Sequence, residues 1–175
     1  MIRRATNADI DAVEAGYTEL LTFEEKNGSF SNWQRGVYPV RATAEKALAS
    51  GTLYVLEENG QICASVILNH VPPCEHEKIA WRYPVPDCEA LTVHTLCVPP
   101  EHAGKGCGKR MMAFALTLAR DTGCKVVRLD TYEGNLPAQS LYTKLGFSKA
   151  GSAEVVLEGV LAERLLYFEY SLVHS

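Results

Sequence analysis

The sequence predicts a single α/β domain over residues 1–175, and three local patterns carry that prediction. Apolar residues switch between a period of two and a period near 3.6, giving the element order β-α-α-β-β-β-α-β-α-β-β. Asn59-Gly60 separates the apolar runs Leu53–Leu56 and Ile62–Leu68 as a two-residue hairpin turn. A strand ending at Val98-Pro99-Pro100 leads through Gly104, Gly106 and Gly108, one at every second position, into a helix.

Each element follows from its own residues. Ile2–Ala5 reads as a short first strand, and Thr6-Asn7-Ala8-Asp9 as the cap of a helix running to about Phe23. In that helix Ile10, Val13, Tyr17, Leu20 and Leu21 recur at spacings of three and four. Asn27 to Pro39, rich in Gly, Ser and aromatics, reads as a loop or short helix. Thr43–Ala49 is helical, with Gly51 as its stop. The hairpin follows, and then Val71 to Cys88, with four prolines, is expected to be a long connection before the strand Leu91–Val98. A helix from about Gly106 to Thr122, closed by Gly123, leads to the strand Lys125–Tyr132. A short helix follows Asn135. Strands are expected near Phe147–Ala150 and Leu165–Ser171, with Gly151–Glu163 as a loop between them. There are no repeats and no low-complexity tracts.

Composition narrows the function classes. A chain that is 47% hydrophobic can bury a sizeable core. A net charge of -4 with no Lys/Arg run argues against nucleic-acid or anionic-membrane partners. No apolar window reaches a membrane-spanning length, and the N-terminus lacks the apolar core of a secretion signal, so a cytoplasmic location is expected. The six cysteines show no Cys-x-x-Cys spacing and read as reduced thiols. Cys74-Glu75-His76 lacks a second ligand pair, so no metal is expected.

The glycine loop carries the chemistry. A glycine-rich turn at a helix start leaves backbone N–H groups unpaired beside the positive end of the helix dipole, a site for an anion such as a diphosphate. Glycine is expected there because a Cβ would hold phosphates off the backbone. An NTPase phosphate loop would need Gly-Lys-Ser/Thr, whereas Gly108-Lys109 is followed by Arg110. A dinucleotide fingerprint would need Gly-x-Gly-x-x-Gly near the chain start, whereas here Gly-x-Gly-x-Gly begins only at Gly104.

The run Ala103-Gly104-Lys105-Gly106-Cys107-Gly108 instead resembles the acyl-CoA loop of the GNAT family of N-acetyltransferases, whose signature is Arg/Gln-x-x-Gly-x-Gly/Ala. Ala103 departs from its first position, which predicts weaker affinity, and His102, Lys105 and Lys109 are the cations at hand. Asn135–Phe147 resembles the family segment Asn-x-x-Ala-x-x-x-Tyr-x-x-x-Gly-Phe. It also reads physically as a helix, with Asn135 as N-cap, Pro137 in the first turn and Gly146 as the stop. The resemblance implies a mixed, mostly antiparallel sheet of six to seven strands flanked by about four helices and splayed between the fourth and fifth strands. It also implies acetyl-CoA as co-substrate and an amine as acceptor, and it leaves a homodimer open.

By the same resemblance, the backbones of Leu96, Cys97 and Val98 would hold the pantetheine arm and an oxyanion, and Ala103 to Lys109 the diphosphate. Asn135 and Ser140 would contact the cofactor, and Tyr142 would protonate the departing thiolate. Because a free alkylammonium has a pKa near 10, the acceptor must lose a proton to a base before it attacks. His94, Glu89 and Asp130 are the candidates beside water, and each also has a structural reading: a core histidine, a solvated strand start and a hydrogen-bond acceptor. Tyr17, Phe23, Phe30, Trp33, Tyr38, Trp81, Tyr83, Glu24 and Glu25 are candidates for acceptor recognition. The expected activity is acetyl transfer to a small-molecule amine. The alternatives are a protein N-terminal or lysine acetyltransferase and a non-catalytic CoA-binding module.

Overall fold

In a computed structural model, which describes residues 1–173, the predicted element order is found. The strands are β1 (Ile2–Arg4), β2 (Leu53–Glu58), β3 (Gln61–Asn69), β4 (Ala90–Cys97), β5 (Val126–Tyr132), β6 (Ser148–Leu157) and β7 (Leu161–Ser171). The helices are α1 (Ile10–Asn27), α2 (Arg41–Ala49), α3 (Cys107–Asp121) and α4 (Leu136–Lys144). The sheet order is β1-β2-β3-β4-β5-β7-β6. Among the described residues no helix is long and apolar enough to cross a membrane.

The residues group into two compact units. The first comprises Met1–Ser29, Trp33–Leu68 and His94–Phe114. Within it β1, β2 and β3 pair antiparallel, and Asn59 (φ 50°) and Gly60 (φ 77°) form the tight turn between Glu58 and Gln61. Two successive left-handed residues match the twist of a hairpin, which is why Asn-Gly signalled it. The apolar stripe of α1 packs with α2 and β2 around Ile10, Val13, Tyr17, Ala44, Ala47, Leu53, Val55, Ile67 and Cys97. Each fully buried side chain of this size contributes about 2 kcal/mol of transfer free energy. Asp9 anchors the start of α1. Its carboxylate accepts from the Thr6 amide (2.7 Å) and from both terminal nitrogens of Arg3 (2.7 and 2.9 Å), and Arg3 also pairs with Glu57.

The second unit comprises Phe30–Asn32, Asn69–Val93 and the chain from Ala115 on. Here β5, β7 and β6 are antiparallel neighbours, and the first half of β4 runs parallel to β5, Ala90 opposite Val126 through Val93 opposite Leu129. That ladder stops at Val93, although β4 continues to Cys97 and β5 to Tyr132.

One expectation about connections is corrected. Gly151–Glu163 is not a loop: β6 and β7 pair as far as Leu157 and Leu161, and only residues 158–160 turn, through Glu158 (φ 51°) and Gly159 (φ 68°). The small residues Gly151, Ser152 and Ala153 masked a strand whose partner supplies the ladder. The long connection expected before β4 is found at 70–89. It forms 3-10 turns at Cys74–Lys78 and Asp87–Glu89 and is fastened to β5 and β7 by buried polar groups.

Candidate active site

The first unit contains the strand, turn and helix start singled out by the sequence. In β4, Thr95 has φ 49°, an unusual conformation for a β-branched residue, and its hydroxyl hydrogen-bonds the Tyr38 hydroxyl. A left-handed residue breaks the pleat, so the alternation of a regular strand, which would put His94 and Leu96 on one side, does not apply here. Both are half-buried. Cys97 is buried in the core, and burial, with Glu24 and Glu19 adding to it, pushes its thiol up to about 12. A thiol so protonated is no nucleophile at neutral pH.

After Pro99 a 3-10 turn covers Pro100–His102, Ala103 is extended, and Gly104 (φ 72°) and Gly106 (φ 81°) are left-handed before α3 begins at Cys107. No protein atom lies within 4 Å of a Cβ built on Gly104 or Gly106. Their left-handed conformation favours glycine, and the space above the backbone is open to an approaching ligand. The first amides of α3 have no intrahelical acceptor. Lys105 and Lys109 are exposed, whereas His102 is buried with Nε2 2.8 Å from Glu101, so the lysines are the available cations. This turn fits a diphosphate of acyl-CoA: open left-handed glycines, a helix start and two solvent-facing ammonium groups. Cys107 is buried, and Gly108 lies in the first turn of α3.

The second unit contains the Asn135–Phe147 segment. The Asn135 side chain accepts from the Ala138 amide (3.2 Å) and caps α4, as expected, while Ser140 is exposed on that helix. Tyr142 is buried, with ring centroids 6.0 Å from Phe147 and 5.9 Å from Phe168. Burial, with the negative charge of Asp130 added to it, raises its pKa well above the usual phenol value. Glu89 ends a 3-10 turn before β4 and pairs with Lys125 at 2.7 Å. Lys125 and Asp130 are five residues apart, so Glu89 lies on the order of 16 Å along the strand direction from Asp130, away from Tyr142's surroundings.

Several recognition candidates have other roles. Tyr17 is core, Glu24 is buried and accepts from Ser29 (3.0 Å), and Glu25 pairs with Arg35. Trp81 lies over the Arg128 guanidinium, 4.4 Å from ring centroid to Cζ. Phe23 and Phe30 remain partly exposed, and Trp33 packs edge-on to Tyr38 at 5.7 Å. The sequence reading named Asp130, which lies opposite Tyr167, but missed the buried polar groups in line with it on β5 and β7: Arg128 opposite Glu169, and Glu163 further along β7. His76 joins that line, with Nε2 2.8 Å from Asp130. Glutamates at 163 and 169 within an apolar run were the available signal. No local pattern marked His76 beyond Cys74-Glu75-His76. Among the described residues, no group of three His, Cys, Asp or Glu side chains is arranged to hold a metal ion.

Comparison with known proteins agrees with the loop and the fold. A family model described as the acetyltransferase (GNAT) family matches residues 17–147. N-acetyltransferase family 8 member 2 of Rattus norvegicus is 30% identical over 125 residues, 71% of this chain and 51% of that protein. Streptothricin acetyltransferase of Streptomyces lavendulae is 32% identical over 75 residues, 43% of this chain and 40% of that protein. The matched regions thus span between two fifths and about half of these relatives' lengths. Among solved structures, a GNAT-family acetyltransferase from Streptococcus agalactiae superposes with a TM-score of 0.81 at 20% identity, covering 99% of this chain and 96% of that one. The structure of yncA from Salmonella typhimurium with its cofactor acetyl-CoA superposes with a TM-score of 0.69 at 19% identity, covering 100% and 95%. At those identities the likeness is one of fold, whereas the family model reads sequence across more than half of the chain. By that match, and with the strand, glycine turn and helix in their expected order, the chain belongs to the acetyltransferase (GNAT) family.

Proposed function

We propose that this chain is an acetyl-CoA-dependent N-acetyltransferase that moves acetyl directly to a primary amine of a small molecule. The observation that carries the reading is the run from β4 through Pro99 to the left-handed Gly104 and Gly106 and the open head of α3. In this reading Gly104–Lys109 hold the diphosphate, and the backbone of Leu96–Val98, beyond the end of the β5 ladder, bonds the pantetheine amides. Tyr142 is the general acid. Its phenol, like that of any tyrosine below its ordinary pKa near 10, is protonated at neutral pH, and in this reading it gives its proton to the departing thiolate. The high thiol pKa of Cys97 supports direct transfer over an acyl-enzyme route. The relative that acts on streptothricin supports a small-molecule acceptor.

The test is a thiol-release screen with acetyl-CoA over polyamines, amino acids, aminoglycosides, arylalkylamines and peptides, run beside an acetyl-CoA thermal shift. The reading expects a shift and turnover of a small amine. No shift sinks the acyl-CoA site, a shift without turnover favours a CoA-binding module, and turnover confined to peptides moves the acceptor class to proteins.

A further inference from the structure

The connection 70–89 covers one face of β5 and β7 and is fastened at three points. Glu169 accepts from the amides of Arg82 (2.8 Å) and Tyr83 (3.4 Å). Arg128, opposite Glu169 in the ladder, donates to the Tyr83 carbonyl (2.9 Å) and carries the Trp81 ring. The third point is His76 Nε2 on Asp130, and it differs from the other two in kind.

The first two bury charge in order to hold backbone. The third holds a carboxylate that keeps an open edge: the Asp130 side chain is 23% exposed, whereas that of His76 is 2%. The imidazole is packed by Trp81 (5.3 Å between centroids) and Tyr167 (5.2 Å), and the Trp81 indole N–H donates to its backbone carbonyl (2.9 Å). Its Nδ1 is buried with no hydrogen-bond partner, as is the Tyr167 hydroxyl. A purely structural strap would not require a titratable ring with one nitrogen unsatisfied, an arrangement that costs stability. The groups around Asp130 are His76 with Cys74 and Glu75 beside it, Arg128 on its own strand, Tyr167 and Glu163 on β7, and Tyr142 on α4. Burial raises the pKa of Tyr142, Tyr167 and Glu163, and the negative charge of Asp130 adds to each shift. The Tyr142 assigned as acid thus lies within the field of the carboxylate that His76 holds.

We propose that His76 is a positioning residue that orients the Asp130 carboxylate, through the Nε2–H hydrogen bond, as the proton acceptor for the incoming amine. The inference rests on the N-acetyltransferase reading. Asp130 takes a proton from the ammonium as an O–H bond forms and an N–H bond breaks. The freed nitrogen lone pair attacks the acetyl carbonyl carbon, the nitrogen of the adduct gives its second proton to solvent, the C–S bond breaks with its electrons passing to sulfur, and Tyr142 supplies the thiolate's proton. The exposed edge of Asp130 returns its proton to solvent, from which Tyr142 is replenished.

The experiment uses the full chain and the amine with the highest turnover among spermidine, kanamycin, tyramine and a glycyl peptide. Asp130→Asn is expected to lower kcat by about a hundredfold with the acetyl-CoA thermal shift intact. His76→Phe removes the donor but keeps a ring, so the carboxylate loses a stabilising hydrogen bond and the acid limb of kcat/KM moves to higher pH by about one unit. His76→Gln, whose amide nitrogen can take the place of Nε2, is expected to restore the wild-type limb. The carboxylate carbon of Asp130, followed by NMR in wild-type protein, is expected to titrate with that limb, an arm that holds if His76→Phe fails to fold. Asp130→Asn with normal kcat, His76→Gln and His76→Phe equally impaired, or a limb that does not follow Asp130 overturns the proposal and leaves the acetyltransferase reading standing. No turnover of any amine by wild type overturns both.

Discussion

His76 Nε2 lies 2.8 Å from Asp130 Oδ2, joining residues 54 positions apart across one face of β5. The contact makes the connection between β3 and β4 part of the sheet's cover. Its neighbours Arg128 and Glu169 are themselves buried and directly opposite one another in the β5–β7 ladder. The polar line therefore has a buried end at Glu169 and a partly exposed end at Asp130.

Glu169→Ala leaves the Arg82 and Tyr83 amides without their acceptor and the buried Arg128 guanidinium without its counter-charge. Removing one member of a buried charged network costs about 3 kcal/mol, which for a chain of this size lowers Tm by roughly 6–12 °C. Thermal denaturation reads the loss, and amide exchange is expected to quicken first at Arg82 and Tyr83.

The Asp9 carboxylate, held by Arg3 and Thr6, has a pKa driven well below the ordinary carboxylate range, chiefly by the Arg3 hydrogen bonds. A pKa depressed on folding gives stability that is complete above the unfolded value near 4 and is lost as pH falls below it. Asp9→Asn is expected to cost about 2 kcal/mol at pH 7 and progressively less on acidification. Urea titrations at pH 7 and pH 3 check the sign: an equal loss at both contradicts it.

Gly106 has φ 81° at the entry to α3, and an alanine there is strained whatever space surrounds it. The strain is about 1–2 kcal/mol. If the turn relaxes to relieve it, the amides at the head of α3 lose their alignment. Gly106→Ala is expected to raise the acetyl-CoA Kd about tenfold, measured by calorimetry, while Gly159→Ala in the β6–β7 turn, with φ 68°, leaves it unchanged.

Thr95 holds a left-handed conformation while hydrogen-bonded to the Tyr38 hydroxyl. Tyr38→Phe is expected to cost about 1 kcal/mol. In a Thr95→Gly background, where the strained side chain is gone, the same change costs less, and a double-mutant cycle in urea measures the coupling. Additive losses contradict a link between the two residues.

What the sequence made legible was local. The Asn59-Gly60 turn, the glycines before α3 and the capped helix from Asn135 announce themselves because their residue types fix backbone conformation within a few positions. The β6–β7 hairpin was hidden because Gly151, Ser152 and Ala153 have low strand propensity, and the pairing that overrides it comes from the partner strand. The polar face of β5 and β7 was hidden for a related reason. Arg128, Glu163 and Glu169 look solvent-facing until long-range partners bury them. Tyr142 was legible as a candidate acid from its motif, whereas its closeness to Asp130 and the distance of Glu89 required the folded strand.

Steady-state thiol release by wild type and Tyr142→Phe, with one turned-over amine, tests acetyl transfer with Tyr142 as the acid. The kcat of Tyr142→Phe is expected to fall by about a hundredfold or more while the acetyl-CoA thermal shift stays the same, since only the proton for the leaving thiolate is lost. An unchanged kcat across the pH range would contradict it.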